Sequence, residues 1–375
     1  MELSEEEKEE LSVGLLREWW ITTTQALVDV AGTDEALRRL KPYFLHSGKA
    51  AIRVLSSIPG LSFPNVEISI DNAAYAIAIA LGGQFLPAYA ADDRSYIGEI
   101  RNCATRGACK EACISFCSFT AASGTQELYP DYDNVLISSL SNGDPCCQWL
   151  LSKKGRKAKV VPTDFFRIPR EQVYCDPFDE DTKKYLGLAY CGEIWVLATR
   201  AIIDFGGSEA ALNILRPRMF HSGISLGNKF SNRLNAHVGK MGSILDLLYI
   251  IQHLHQQKGT SSTGSEMAQG TVDECPFASS APPEICLQYE AFFNGICEVI
   301  DSSYEFAYDR MMTKGDKTCH WTIKKKGELV KEKLKEEAPS DDPVKMLAMR
   351  FAKGEITEEE LEKKVAHLRK LGLLK

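Results

Sequence analysis

Residues 32–51 read GTDEALRRLKPYFLHSGKAA and residues 207–226 read GSEAALNILRPRMFHSGISL, 175 positions apart without a gap. Both carry Pro-x-x-x-His-Ser-Gly. A match of that length means that one structural unit occurs twice, so the fold of either stretch is the fold of both. Further along, the offset becomes 172. Tyr132 with Gly143-Asp144-Pro-Cys-Cys147-Gln-Trp149 then matches Tyr304 with Gly315-Asp316-Lys-Thr-Cys319-His-Trp321. Cys103 matches Cys275, and Cys113 lies one residue out of register with Cys286. The first copy spans 13–154 and the second 185–326, joined by a charged, Pro-containing linker over 155–184.

Each copy opens with a helix holding Trp20 or Trp195, which ends at Gly32 or Gly207. Thr33 and Ser208 are natural N-caps for the next helix, and Pro42 and Pro217 mark a kink or stop in it. A long apolar helix follows, over 73–91 in the first copy and 243–255 in the second. Next come a short strand (SYIGEIRNC, EMAQGTVDEC), a Cys-bearing helix, a Tyr-containing strand, a Gly-Asp turn and a closing strand. The order predicts an α+β fold: two homologous domains, each with helices packed on a small antiparallel sheet. The end of the chain differs. After a linker over 327–340, residues 341–375 predict a helical hairpin. Asp342 and Pro343 start its first helix, Gly354 ends it, and Thr357 to Glu360 form a capping box for the second. Two short helices cannot bury their own apolar stripes, so the hairpin is expected to dock on another subunit or a protein partner.

The apolar fraction of 44% and charged fraction of 25% are those of a globular protein, and a net charge of −7 leaves no basic footprint for nucleic acid. The acidic opening MELSEEEKEELS is no export signal, and the apolar stretches are broken by Gly, Pro or charge, so no membrane span is expected. Twelve cysteines in that setting predict a cytoplasmic protein whose thiols serve metals or redox chemistry. Nucleotide-binding glycine motifs, HExxH and CxxC are all absent.

The candidate site is the recurring triad Cys103, Cys113, Cys147 and Cys275, Cys286, Cys319. Three thiolates and a fourth ligand suit zinc or, alternatively, an iron–sulfur cluster. Cys109, Cys117, Cys146 and Cys297 are available as the fourth. The competing reading is that these cysteines pack as small hydrophobes. His46 and His221 are the other repeated polar residues. Each could act as a general base or bind substrate, or simply satisfy carbonyls at a helix end.

CPFASSAPPEIC (275–286) with GDKTCHWTIKK, and GDPCCQWLLSKK in the first copy, resemble the L-2-amino-thiazoline-4-carboxylic acid hydrolase family and the related 4-vinyl reductase domains. In the aromatic-sensing members of the latter group a helix cysteine and one after Gly-Asp-Pro ligate zinc. That implies Cys113 with Cys147, and Cys286 with Cys319. The further ligand those domains carry before Gly-Asp is Ser139 or Met311 here. DPVKMLAMRFAKGEITEEELEKKVAHL resembles the SHOCT domain, which implies association with another chain. The expected function is a metal-containing tandem protein that binds a small molecule or a partner. The alternative is a hydrolase acting on the C–N bonds of a small cyclic amidine, with His46 or His221 as base. A redox protein is a further alternative.

Overall fold

The structure is a computed structural model, and it describes residues 3–57, 63, 84–92, 95–101, 103, 109–155, 178–234, 239–264 and 267–326. Ser4 accepts the Glu7 backbone N–H and the Glu7 carboxylate accepts that of Ser4, a reciprocal cap that starts α1 (Glu5–Glu9). A π-helical turn over Glu10–Gly14 carries the chain into α2 (Leu15–Ala31). Leu16, Trp19, Trp20, Thr23 and Leu27 recur at helical spacing and are all buried. Gly32, at φ 78°, ends α2, and α3 (Thr33–Leu55) begins at once. Thr33, expected as its cap, is instead its first residue and donates its hydroxyl to Glu111 Oε1 at 2.9 Å. Nor does Pro42 stop the helix, which runs through it.

β1 (Gln84–Asp92) and β2 (Ser95–Arg101) follow, then α4 (Lys110–Ile114), a π-helical turn over Ser115–Thr120 and α5 (Ala121–Leu128). β3 (Tyr132–Ser138) and β4 (Cys147–Lys153) complete a sheet of order β1-β2-β4-β3. The second half has the same strand order in its sheet. α6 (Glu180–Leu234) is two helices joined at Gly207, whose φ of 81° and ψ of 168° nearly equal those of Gly32. Then come α7 (Gly239–Leu254), β5 (Lys258–Thr263), β6 (Met267–Glu274), α8 (Pro283–Asp301), β7 (Tyr304–Arg310) and β8 (Cys319–Lys325), with sheet order β5-β6-β8-β7. The fold class is mixed helix and sheet, with small antiparallel sheets.

Two further expectations are overturned. The apolar stretch 73–91 does not form one helix, because residues 84–91 lie in β1. Pro87 explains the choice: with no N–H to give, it suits an edge strand, and the β1–β2 pairing is interrupted between Leu86 and Tyr89. The linker also ends earlier than expected, since α6 starts at Glu180. The hairpin at 341–375 and the segment 327–340 lie outside the described residues.

Through Ile323 the chain forms one compact unit, and Lys324–Lys375 separates as a second. The centre of the first unit is aromatic. Trp19 of α2 meets Trp195 of α6 at 4.9 Å between ring centroids and Phe292 of α8 at 4.8 Å. Its indole N–H donates to Ser222 Oγ at 3.2 Å, and that of Trp195 to Gln288 Oε1 at 3.1 Å, so these polar tips are satisfied inside the core. Within α6, residues Asp181–Phe230 are long and apolar enough to cross a membrane, yet 72% of the most apolar window is buried, as in a core helix.

Candidate functional site

The Gly-Asp turns build the thiol sites. In the first half, Gly143 takes φ 89° to close a 3-10 turn over Leu140–Asn142. The Asp144 carboxylate then accepts the Ser139 N–H at 2.7 Å, and Cys147 Sγ accepts the Leu140 N–H at 3.3 Å. The second half does the same with other side chains. Gly315 takes φ 98°, Asp316 accepts the Met311 N–H at 2.8 Å and Cys319 Sγ accepts the Met312 N–H at 3.2 Å. This accounts for the recurring Gly-Asp-x-x-Cys: the glycine supplies the left-handed turn, and the acid and the sulfur each take one of its N–H groups.

Each hairpin cysteine meets the helix cysteine of its own half. Hydrogen bonds from the Cys117 and Cys147 thiols hold Cys113 well below the usual thiol range, and Cys147 rises in turn. In the second half the Cys286 thiol lowers Cys319 to about 7, and Cys286 rises. In each half one sulfur of the pair is thus lowered and the other raised, because a thiol bonds its neighbouring sulfur. Ser139 Oγ stands 3.7 Å from Cys113 Sγ, and Thr313 Oγ1 stands 3.2 Å from Cys286 Sγ. Cys103 reaches Cys117 and Cys147 through charge, while Cys275, Cys286 and Cys319 line one small cavity. Of the other candidates, Cys117 joins the first cluster. Cys109 turns to Glu111 Oε2 at 3.4 Å, and Cys146 is raised by burial and by the charge of Glu99.

Among the described residues, no group of three or more His, Cys, Asp or Glu is arranged to hold a metal ion. In the first half the Cys117 and Cys147 thiols both reach Cys113, and in the second Cys275 shares a cavity with the Cys286 and Cys319 pair.

Beside the first thiol cluster, a pocket of about 60 Å³ lies between α3, α5 and the sheet, reaching about 720 Å³ with its solvent-filled mouth. Gly48 and Gly124 bring the two helices together, since a Cβ on Gly48 would fall inside the Thr120 carbonyl. Ile52, Leu128 and Trp149 wall the pocket, and no charged side chain lines it. Two polar atoms on its lining residues are buried without a partner, Thr120 Oγ1 and Asn134 Oδ1. The other end of the Asn134 amide donates to Thr125 Oγ1 at 3.0 Å. The second half is different at this place. Phe306, two residues after the tyrosine that opens β7 as Asn134 is after Tyr132, is fully buried. It packs on Phe293 at 5.0 Å and Trp321 at 6.0 Å.

The histidines fall elsewhere. His46 is exposed mid-helix in α3 and lines a cleft with Glu193. His221 is exposed, bonds the Pro217 carbonyl through Nδ1 at 2.6 Å and lines a groove with Glu18. Glu18 and Glu193 stand 175 residues apart, the offset of the opening repeat, and could have been found from it. Thr120 and Asn134 carry no such signal. No family model, curated protein or solved structure matches the chain.

Proposed function

We propose that this protein binds a small neutral molecule in the pocket of its first half, through an apolar body and one hydrogen-bond donor. The observation that carries this reading is the pair of unpartnered buried atoms, Thr120 Oγ1 and Asn134 Oδ1, in a mostly apolar pocket that no charged side chain lines. A buried polar atom without a partner costs about 1–3 kcal/mol, which a ligand hydroxyl or N–H would recover. An anionic ligand finds no cation among the lining residues, which disfavours a carboxylate substrate here. The pocket is smaller than the roughly 150 Å³ dry cavity that takes benzene. Its deep end therefore suits part of a ring, the rest lying in the mouth.

In this reading the two halves are homologous domains with different duties. The first binds, and the second fills the matching position with Phe306 and serves as scaffold. The thiol pairs fasten each hairpin to its helix. The resemblance to vinyl reductase domains, some of which sense aromatic compounds, points the same way. The hydrolase alternative gains nothing from this pocket, which neither His46 nor His221 lines.

Calorimetric titration of the full chain with phenol, benzene and benzoate tests the proposal. Phenol is expected to bind about 2–10 times more tightly than benzene, the worth of one hydrogen bond. Benzoate should be weakest, and Asn134→Leu should abolish the preference for phenol over benzene. Equal binding of phenol and benzoate, or an unaltered preference in Asn134→Leu, would contradict it.

A further inference from the structure

A second cleft, of about 440 Å³, lies between the two halves and takes walls from both. Leu16 and His46 come from the first half. Glu193 and Arg200 come from α6, and His255, Gln256 and Phe277 from the chain that follows. Three features of its lining stand out. His255 is buried and bonds the Tyr289 hydroxyl through Nδ1, while its Nε2 has no hydrogen-bond partner. Burial lowers its basicity, and the Ser12 and Leu11 backbone pulls it back.

Next to it, Gln256 takes φ 57°, and among the described residues it is the one non-glycine with positive φ. A long side chain in that region costs about 1 kcal/mol or more and persists where the surroundings hold it, often at binding sites. Finally, the cleft sets one carboxyl group and one guanidinium on the same helix. Glu193 is half-buried, and burial raises its carboxyl while Ser47 and His46 pull it back. Arg200 is exposed and is held by the Ser280 carbonyl at 2.5 Å. Seven residues separate them, two turns or about 10 Å along the axis, a span that their long side chains can close from both ends.

An acid alone would select a cation and an arginine alone an anion. Both together, over an apolar wall, select a molecule that carries both charges. We propose that the cleft binds a small zwitterion with an apolar body. Its ammonium faces Glu193, its carboxylate faces Arg200, and the body lies against Leu16, Val196 and Phe277. This site is independent of the first-half pocket and uses none of its residues.

The experiment titrates the folded full chain with L-phenylalanine, phenethylamine and 3-phenylpropionate. Phenylalanine is expected to saturate below about 1 mM, with each singly charged analogue about 10-fold weaker or more. Glu193→Gln should weaken phenylalanine about 10-fold and leave 3-phenylpropionate unchanged. Arg200→Gln should weaken phenylalanine equally and leave phenethylamine unchanged. Circular dichroism melts identify any variant that fails to fold, and Arg200, being exposed, keeps the test open if Glu193→Gln does. No saturable binding of phenylalanine up to about 10 mM overturns the proposal. So does equal binding of all three compounds, or phenylalanine affinity unmoved in both variants.

Discussion

Asp144 and Asp316 each fix a backbone N–H five residues earlier, in hairpins whose other side chains differ. A charge-assisted bond of this kind contributes about 1–3 kcal/mol. Asp144→Ala should therefore lower the urea unfolding free energy by about 1–2 kcal/mol, half-exposure trimming the upper end. An unchanged midpoint would mean that the glycine alone sets the turn. His255 gives a second expectation. Burial holds its folded pKa at about 4, below the ordinary 6.5 that applies when unfolded. Between those values the unfolded chain binds the extra proton, so stability is full above pH 6.5 and falls as pH drops towards 4. The loss approaches about 3 kcal/mol for a shift of that size. His255→Gln should remove this loss, so that its stability profile and that of the parent diverge between pH 6.5 and 4. Parallel profiles would show that His255 is already protonated in the fold.

At the scale of elements, the helix crossings rest on glycine. A Cβ on Gly48 would strike the Thr120 carbonyl, and one on Gly223 would strike that of Phe292. Gly48→Ala should push α3 from α5, weaken the pocket by moving Thr120, and cost about 1–3 kcal/mol of stability as overpacking does. Retained phenol affinity in a folded Gly48→Ala protein would separate Thr120 from binding. Most elements were legible in the sequence because they recur: the Gly32 and Gly207 turns, the Cys-bearing helices and the Gly-Asp hairpins are each written twice. The edge strand β1 was not. Its alanine-rich, uncharged run looks helical, and Pro87 is tolerated there only because an edge strand can spare an N–H. The pocket was hidden for a related reason. Recurrence picks out what two copies share, whereas Asn134 matters because its counterpart is Phe306.

The whole molecule divides at Ile323. Truncation after Lys326 should leave the unfolding free energy of the first unit unchanged within about 0.5 kcal/mol, as expected for removal of a separate unit. A large loss of stability would make the tail part of the core. The two halves share a sheet order but differ at the pocket, where Asn134 has Phe306 as its counterpart. The most direct measurement is a crystal structure of the full chain soaked in phenol. The expected result is density for one ring between α3, α5 and the first sheet, its hydroxyl within hydrogen-bond distance of Asn134 Oδ1. No ring should appear around Phe306. A ring bound in the second half, or a first-half pocket that stays empty at saturating phenol, would contradict the account.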